Sequence, residues 1–150
     1  TRSNSTAILK KKAQEAALNK FSPKSNWHIF RYPFLHEGNS IDKRNQIRSY
    51  LAKLNYKIAE VTIDFDDWAW NDPYTRCVAK NDSASIEWLR KSYLARSVIN
   101  LKRAVEISDK IFRRPIPHVL LLHLGAFDAE MLKSLIENYK KEEDMDDWLF

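Results

Sequence analysis

Residues 58–71 read IAEVTIDFDDWAWN, and this stretch decides how the rest of the chain is interpreted. Its first half is rich in apolar and β-branched side chains, which predicts a strand that ends near Phe65. The alternation of polar and apolar positions is weak, as in a strand that is covered on both faces. Asp66, Asp67 and Trp68 follow directly. Because ligands gather at the carboxyl ends of parallel strands, we expect a functional site here.

Two further runs have the same design. Residues 27–34 read WHIFRYPF, and residues 118–127 read HVLLLHLGAF. Pro33 has no N–H group to donate to a sheet, so the first of these strands must end near Arg31. The other run carries His123 close to its end, two residues before a glycine that signals close backbone approach. Each predicted strand therefore has a charged or titratable side chain near its carboxyl end.

Helical periodicity fills the segments between these strands. We predict four helices, at about residues 5–18, 41–54, 83–112 and 129–141. Ser40 and Asp128 are placed to cap the second and the last of them, because their side chains accept hydrogen bonds from the first free N–H groups of a helix. Asp82 or Ser83 starts the third, which we expect to be interrupted near Ser97 or Asn100. Asp72–Pro73 is interpreted as a turn. Helices alternating with strands predict an α/β fold in one domain, residues 1–150, with about three parallel strands.

The composition of the 150-residue chain suits a domain with a real core, since 44% of its residues are hydrophobic and 12% aromatic. A net charge of +5 leaves two interpretations open, attraction to anionic partners or a solvated surface of mixed charge. Aromatic side chains are not interleaved with basic ones, so we expect no nucleic-acid partner. No apolar run is long enough to cross a bilayer, so we expect no membrane span.

The sequence gives little support for metal binding. Cys77 is the single cysteine, which excludes an internal disulfide and a thiolate metal cluster. His28 and His36 flank a proline, while His118 and His123 are an odd number of residues apart, which places them on opposite faces of a strand. Neither pair has the helical spacing of a zinc site, and there is no glycine-rich phosphate loop. We therefore predict no metal ligands in this chain.

Three side chains near the predicted strand ends each have a chemical and a plain structural interpretation. Asp67 orients a histidine, or it is one of several solvated acids that cap nearby amides. His123 is a general acid held by a carboxylate, or it is a satisfied core histidine among leucines. Arg31 pairs with a surface acid, or, if buried, it requires a carboxylate such as Asp64 or Asp67.

Taken together, three short stretches resemble the polysaccharide deacetylases of carbohydrate esterase family 4, the NodB-like domain. Arg31–Phe34 is similar to the family's Arg-x-Pro-Phe/Tyr motif, Asp64–Trp68 to its Asp-x-x-Asp-Trp motif, and Leu121–His123 to its Leu-x-His motif. The resemblance covers about residues 26–141 and corresponds to the C-terminal part of the family domain. It implies an incomplete (β/α) barrel and hydrolysis of N-acetyl groups from amino-sugar glycans with zinc or another divalent metal.

Carried over position by position, the resemblance implies roles for the residues of these motifs. His123 would be the general acid that protonates the leaving amine, and Asp67 would orient it. Arg31 would hold the family's catalytic base. Trp68 would wall the substrate groove and Leu121 would line the acetyl pocket. The expected substrate-binding residues are thus Trp68, Leu121, Tyr32 and Phe34.

The family motifs that supply the base and the metal ligands, Thr-Phe-Asp-Asp and a pair of histidines, do not occur in this sequence. We therefore expect deacetylase activity only if a metal-binding half is supplied. The alternative is a catalytically inactive remnant that binds glycan or has a structural role. Three strands cannot close a barrel, so we also expect a homo-oligomer that covers the open edges.

Overall fold

The computed structural model describes residues 28–142, and the helix predicted at residues 5–18 and the start of the first strand at Trp27 lie outside the described residues. The described residues form two compact units, which divide between Ala59 and Glu60. Of the described residues, 65% are helical and 5% are in strands. The protein is therefore mainly helical in the part that the structure describes.

The predicted α/β fold, an incomplete barrel of about three parallel strands with alternating helices, is wrong. The described part contains four helices and a single two-stranded sheet. Its two strands are β1, Ile29–Phe30, and β2, Lys57–Ile58, which pair in parallel. The apolar runs that suggested longer strands are extended, but they pair over only a few residues.

The first unit is arranged around helix α1, Ile41–Lys53. The Ser40 hydroxyl accepts the N–H of Lys43 at 3.3 Å, which confirms the predicted cap. Between β1 and α1 lies a short 3-10 turn, Pro33–Leu35, and it ends β1 early because proline cannot donate to a sheet. β1, α1 and β2 thus form a small β-α-β arrangement, the only part of the described chain with the predicted alternation.

In the second unit, residues 62–65 and 119–121 lie side by side in parallel. The N–H of Ile63 donates to the carbonyl of Val119 at 3.1 Å, and the N–H of Leu121 donates to the carbonyl of Ile63 at 3.0 Å. The pairing amounts to a single bridge, Ile63 with Leu120. It stops because Asp66 turns the chain with φ 60°. A full strand is therefore cut short by local backbone geometry.

Burial alternates strictly along this extended segment. Ile63, Phe65 and Asp67 are buried, whereas the residues between them are exposed. The expectation that this strand is covered on both faces is therefore wrong, because the period of two leaves one face in solvent. The same period explains why Asp67 points inward: it occupies the next buried position after two apolar residues.

Two helices fill the segment between residues 66 and 113. Helix α2, Asn71–Ala79, contains Asp72–Pro73 in its first turn, so the predicted turn there is wrong. Proline is tolerated at this place because the first N–H groups of a helix have no intrahelical partner. Helix α3, Ser83–Phe112, is a continuous 30-residue helix, and the N–H of Ser85 donates to Asp82 at 3.0 Å. The predicted long helix is confirmed, and of the two residues predicted to start it Asp82 is the N-cap. The expected interruption near Ser97 or Asn100 is absent from this helix.

Helix α4, Ala126–Lys141, begins three residues earlier than predicted, and Asp128 is not its N-cap. The cap position is Gly125, which has no side chain to accept a hydrogen bond. The side chain of Asn71 takes that role, since its Oδ1 atom accepts the N–H of Phe127 at 2.9 Å. Its Nδ2 atom donates to Asp128 at 2.6 Å. A residue of α2 thus caps α4, which no local pattern reveals.

The core of the second unit is formed by the extended segment, α3 and α4. Its buried members are Ile63, Phe65, Leu89, Tyr93, Leu101, Phe127, Met131, Leu135 and Tyr139. Tyr93 is at the centre, in edge-to-face contact with Phe65 at 5.0 Å, Trp70 at 5.6 Å and Phe127 at 5.4 Å between ring centroids. Tyr93 consequently joins α3 to the extended segment, to Trp70 and to α4.

Two segments of this unit run side by side in a fixed register. Many residues that contact each other across them are separated by 56 to 58 positions, as in the pairs Thr62 and Val119, Ile63 and Leu121, Asp67 and His123, Asn71 and Phe127, and Tyr74 and Glu130. Parallel neighbours require a long crossover connection, which α2 and α3 provide. The register is what brings residues 67 and 123 together.

The described residues bear on two expectations about partners. No helix within residues 28–142 combines the length and the apolar character that crossing a bilayer requires. The homo-oligomer was expected to cover the open edges of a barrel, and there is no barrel in this fold. The argument for a homo-oligomer, which depended on open barrel edges, therefore does not apply to this fold.

We expect Gly125→Ala to destabilise the second unit. An added Cβ atom would lie 2.1 Å from Nδ2 of Asn71 and 2.2 Å from its Oδ1, so the amide must move and break both of its hydrogen bonds. The cost should be about 1–3 kcal/mol in the free energy of unfolding, measured by urea denaturation followed through tryptophan fluorescence.

A double-mutant cycle supplies the control for this prediction. Asn71→Ala removes both hydrogen bonds and also makes room for a side chain at position 125. Gly125→Ala should therefore cost little in the Asn71→Ala background, so the two changes are not additive. Simple additivity would show that Gly125 is required for another reason.

We also expect acid to destabilise the second unit through His118. Its ring is buried, with Nδ1 3.1 Å from the Thr62 hydroxyl, and burial lowers the pKa of His118. The unfolded chain then binds the proton more readily, so this contribution is complete above about pH 6.5 and is lost as the pH falls below it.

The measurement is urea unfolding between about pH 5 and pH 8, where an unperturbed histidine titrates. His118→Gln should flatten the decline in stability toward acid. His36→Gln is the matched control, because His36 is exposed, and it should leave the decline as in the wild type. Equal slopes in the wild type and His118→Gln would contradict the prediction.

Candidate functional site

Asp67 is the buried carboxylate of the second unit, with 0% of its surface exposed. It begins a 3-10 turn, Asp67–Trp70, that follows the left-handed residue Asp66. The N–H of Asp66 donates to the side chain of Asp64 at 3.1 Å, which stabilises this change of direction. The turn therefore ends the extended segment while it keeps Asp67 on the inward side.

His123 makes two hydrogen bonds to this carboxylate. Its backbone N–H donates to Oδ2 of Asp67 at 2.6 Å, and its Nδ1 atom lies 2.7 Å from Oδ1. Because an ionised carboxylate only accepts hydrogen bonds, Nδ1 carries a proton and donates it. The ring is thus fixed at one edge, while the His123 side chain as a whole remains 45% exposed.

The free edge of His123 determines what this pair can do chemically. With Nδ1 committed to Asp67, the Nε2 atom is the ring nitrogen that remains to give or take a proton. A buried carboxylate that orients a half-exposed histidine is the arrangement expected of a general acid or base. His123 is therefore not enclosed in the core, and Asp67 is not a solvated acid.

Asp128 lies next to this pair and is itself buried, with 5% of its surface exposed. It accepts one hydrogen bond from Asn71 at 2.6 Å and another from the hydroxyl of Tyr93 at 3.2 Å. The negative charge of Asp67 also acts on Asp128. The site therefore contains two buried acids, only one of which touches His123.

Burial controls the electrostatics around these acids. It raises the pKa of Asp128, and the charge of Asp67 adds to that effect, whereas the hydrogen bonds from Asn71 and Tyr93 oppose it. Burial and the neighbouring charge of Asp128 raise the pKa of Tyr93 well above its ordinary value. Burial also raises the pKa of Tyr139 to about 12. Both tyrosines therefore stay neutral at physiological pH.

Two residues expected to bind substrate lie in the same unit as this pair. Trp68 follows Asp67 in the 3-10 turn and points outward, with 56% of its surface exposed. Leu121 is half-buried, two residues before His123, and its N–H is held by the carbonyl of Ile63. An exposed indole beside the acid and histidine offers a flat apolar face.

The other predicted site residues lie in the first unit. Arg31 is half-buried and directly follows β1. Tyr32 is buried, and its ring is 5.1 Å from that of Phe30 in an edge-to-face contact. Phe34 is fully exposed, with φ 52° in the Pro33–Leu35 turn. The structure thus brings together Asp67 and His123, with Trp68 and Leu121 beside them in the chain, in the second unit alone.

The described residues do not fit the metal centre that the family resemblance implies. Within residues 28–142, no group of three or more histidine, cysteine, aspartate or glutamate side chains is placed to bind a metal ion. His123 already uses Nδ1 for Asp67, and His118 is buried against Thr62 and Ser108. A metal would need ligands from elsewhere.

Asn71, Asp128 and Tyr93 were not predicted from the sequence to belong to the site. Asp128 was interpreted as a local helix cap, although it stands between buried apolar residues such as Phe127 and Met131. An acid with apolar neighbours on the buried face of a helix requires donors nearby, and that was the available signal. Nothing local marks Asn71, whose partners lie 56 and 57 residues away.

Comparison of the chain with models of known protein families, with curated proteins and with solved structures found no match.

Proposed function

We propose that Asp67 and His123 form the acid–base half of a hydrolytic site that removes N-acetyl groups from amino-sugar glycans. One observation carries the proposal: a fully buried carboxylate holds both the backbone N–H and Nδ1 of His123 and leaves Nε2 for a substrate. The resemblance of the three short motifs to polysaccharide deacetylases supplies the substrate class.

The chemistry is that of amide hydrolysis. Water adds to the acetyl carbon, the bond from that carbon to nitrogen breaks, and the products are acetate and a free amine. The leaving nitrogen needs a proton, which the doubly protonated, positively charged ring of His123 donates from Nε2. Asp67 stabilises the positive charge that the ring carries before this transfer, and the ring is neutral after it. The carboxylate of Asp67 is suited to that task because both of its oxygens already face His123.

In this proposal, Trp68 and Leu121 contact the substrate. The exposed indole of Trp68 would stack against a sugar ring, and the side chain of Leu121 would face the acetyl methyl group. Arg31, Tyr32 and Phe34 are carried over only by the motif that they share with the family. The resemblance implies that Arg31 would hold a base and that Tyr32 and Phe34 would contact substrate.

Activation of water is the step that the described residues do not provide. General-acid help contributes about 10²–10⁴-fold, whereas a bound metal generates the attacking hydroxide. We therefore propose that zinc or another divalent metal enters with ligands from outside residues 28–142. Activity would then depend on a second component, such as another chain.

The test is acetate release from N-acetylated amino-sugar oligomers. A tagged copy of the chain is isolated from its native host with whatever co-purifies, and divalent metal is added. We expect acetate release that falls by about 10²-fold or more in His123→Gln, because the leaving amine loses its proton donor. Removing the metal with a chelator should abolish it.

His36→Gln is the control, because it removes an exposed histidine from the first unit. It should leave acetate release unchanged. Acetate release that survives His123→Gln at the wild-type rate would contradict the proposed acid, and no acetate release from any preparation would favour the second candidate.

The second candidate is a catalytically inactive remnant that binds glycan. It is favoured by the combination of an exposed tryptophan beside the site with the absence of a metal-binding group among residues 28–142. Such a protein would retain the sugar-binding face and lose the hydrolysis. The two candidates agree on the role of Trp68 and differ on acetate release.

For both candidates we expect Trp68→Ala to weaken binding of N-acetylated oligomers about tenfold or more, because truncating a stacked tryptophan commonly costs over 1.4 kcal/mol. Calorimetric titration measures the affinity. Trp88→Ala is the matched control, since Trp88 lies on α3 and is 66% exposed. Equal losses in both variants would point to nonspecific contact with tryptophan.

A further inference from the structure

Asn71 connects the start of α2 to the start of α4, close to the contact between Asp67 and His123. Asn71 follows Asp67 by four positions, and its partner Phe127 follows His123 by four positions. The Oδ1 atom of Asn71 accepts the N–H of Phe127 at 2.9 Å, and its Nδ2 atom donates to Asp128 at 2.6 Å. A side-chain amide both accepts and donates hydrogen bonds, so one residue binds two groups in the first turn of α4.

The turn that separates Asp67 from Asn71 is held by hydrogen bonds of its own. The N–H of Asn71 donates to the carbonyl of Trp68. The indole N–H of Trp70 donates to the hydroxyl of Ser92 on α3 at 2.9 Å. Asp67 and Asn71 are therefore fixed relative to each other, and they offer two attachment points to the neighbouring segment.

The three residues between His123 and Phe127 bury no side chain in the core. The first and the third of them are exposed, and the middle one is Gly125. Its backbone lies directly against the Asn71 amide, because an added Cβ atom would be 2.1 Å from Nδ2. The position of this short segment therefore depends on its two ends and on Asn71.

Loss of the Asn71 amide would reach His123 through this segment. Phe127 has 0% of its surface exposed, and a buried N–H without an acceptor is costly. A movement of the preceding residues that admits water to this N–H relieves that cost. Because the movement begins directly after His123, it turns the His123 backbone and draws Nδ1 away from Asp67.

We propose that Asn71 is a positioning residue for His123, since it fixes the start of α4 where the His123 ring meets Asp67. This inference rests on the proposed acid–base role of the Asp67–His123 pair. Asn71 acts through the backbone of residues 123–127 and not by touching the substrate. Its contribution is to keep Nε2 of His123 in one place while Asp67 holds the opposite edge of the ring.

The first test uses the wild-type chain and amide hydrogen exchange measured by NMR. The N–H groups of His123 and Phe127 both donate to side chains of the turn at residues 67–71. If one opening releases both, added urea should accelerate their exchange to the same extent. Exchange of His123 while Phe127 stays protected would overturn the proposal, and this measurement requires no variant.

The second test removes the amide while keeping the size of the side chain. In Asn71→Leu we expect the His123 N–H to exchange about tenfold faster or more, relative to the N–H of Val119. Val119 is the internal reference, because its N–H donates to the Thr62 hydroxyl at 2.8 Å in the same unit. The NMR signal of the proton on Nδ1 of His123 should be lost.

Equal acceleration of His123 and Val119 in Asn71→Leu would show general destabilisation and overturn the proposal. Asn45→Leu is the matched control, since Asn45 is exposed on α1, and it should alter neither signal.

The third test restores the two hydrogen bonds with different side chains. Asn71→Asp combined with Asp128→Asn keeps an acceptor for the N–H of Phe127 and reverses the direction of the bond between positions 71 and 128. The amide oxygen at position 128 still accepts the Tyr93 hydroxyl, and the net charge is unchanged. Slow exchange of the His123 N–H and its Nδ1 proton signal should both return. A folded double variant in which both stay lost would contradict the proposed role.

These readouts are independent of acetate release. A chain that shows them but hydrolyses no N-acetyl groups would leave this inference standing while the proposed function failed. Normal His123 signals in Asn71→Leu would overturn the inference and leave the proposed function untouched.

Discussion

The buried charge of Asp67 constrains the second unit more than any other group, because a carboxylate without solvent must be matched by donors from the protein. His123 provides two of them, one from its backbone and one from its ring. Both hydrogen bonds require the segment around residue 123 to lie beside the segment around residue 67 in a fixed register. The parallel bridge between Ile63 and Leu120 sets that register a few residues earlier. The geometry of the site and the short ladder are thus two results of one alignment.

The aromatic core and the polar site share a single residue. Tyr93 packs with its ring against Phe65, Trp70 and Phe127 and donates with its hydroxyl to Asp128. A buried tyrosine normally finds one hydrogen-bond partner, and here that partner belongs to the site. Through Tyr93, helix α3 therefore supplies both apolar contacts and a hydrogen-bond donor to the site. The hydrophobic packing and the orientation of the acids cannot vary independently.

The sequence predicted the elements whose signals are local. Ser40 and Asp82 marked the starts of α1 and α3, and the prolines after Arg113 marked the end of α3. It failed where distant residues decide the outcome: Asn71 starts α4 early, and the left-handed Asp66 ends what resembled a full strand. For the site, motif order paired Asp67 with His123. Asp128 was not predicted as a site residue, because its hydrogen-bond partners come close only when α2, α3 and α4 are packed together.

The nearly equal separation of 56 to 58 positions between paired residues bears on how this unit folds. Loop closure over that distance carries one entropic cost, which grows only slowly with loop length. Once a single pair has formed, the residues of the other pairs already lie opposite each other. Forming each further pair therefore costs little additional loop-closure entropy. Helices α2 and α3 form from local contacts and shorten the intervening chain beforehand. We therefore expect these contacts to assemble as a zipper in one cooperative step, with a rate set by the first encounter.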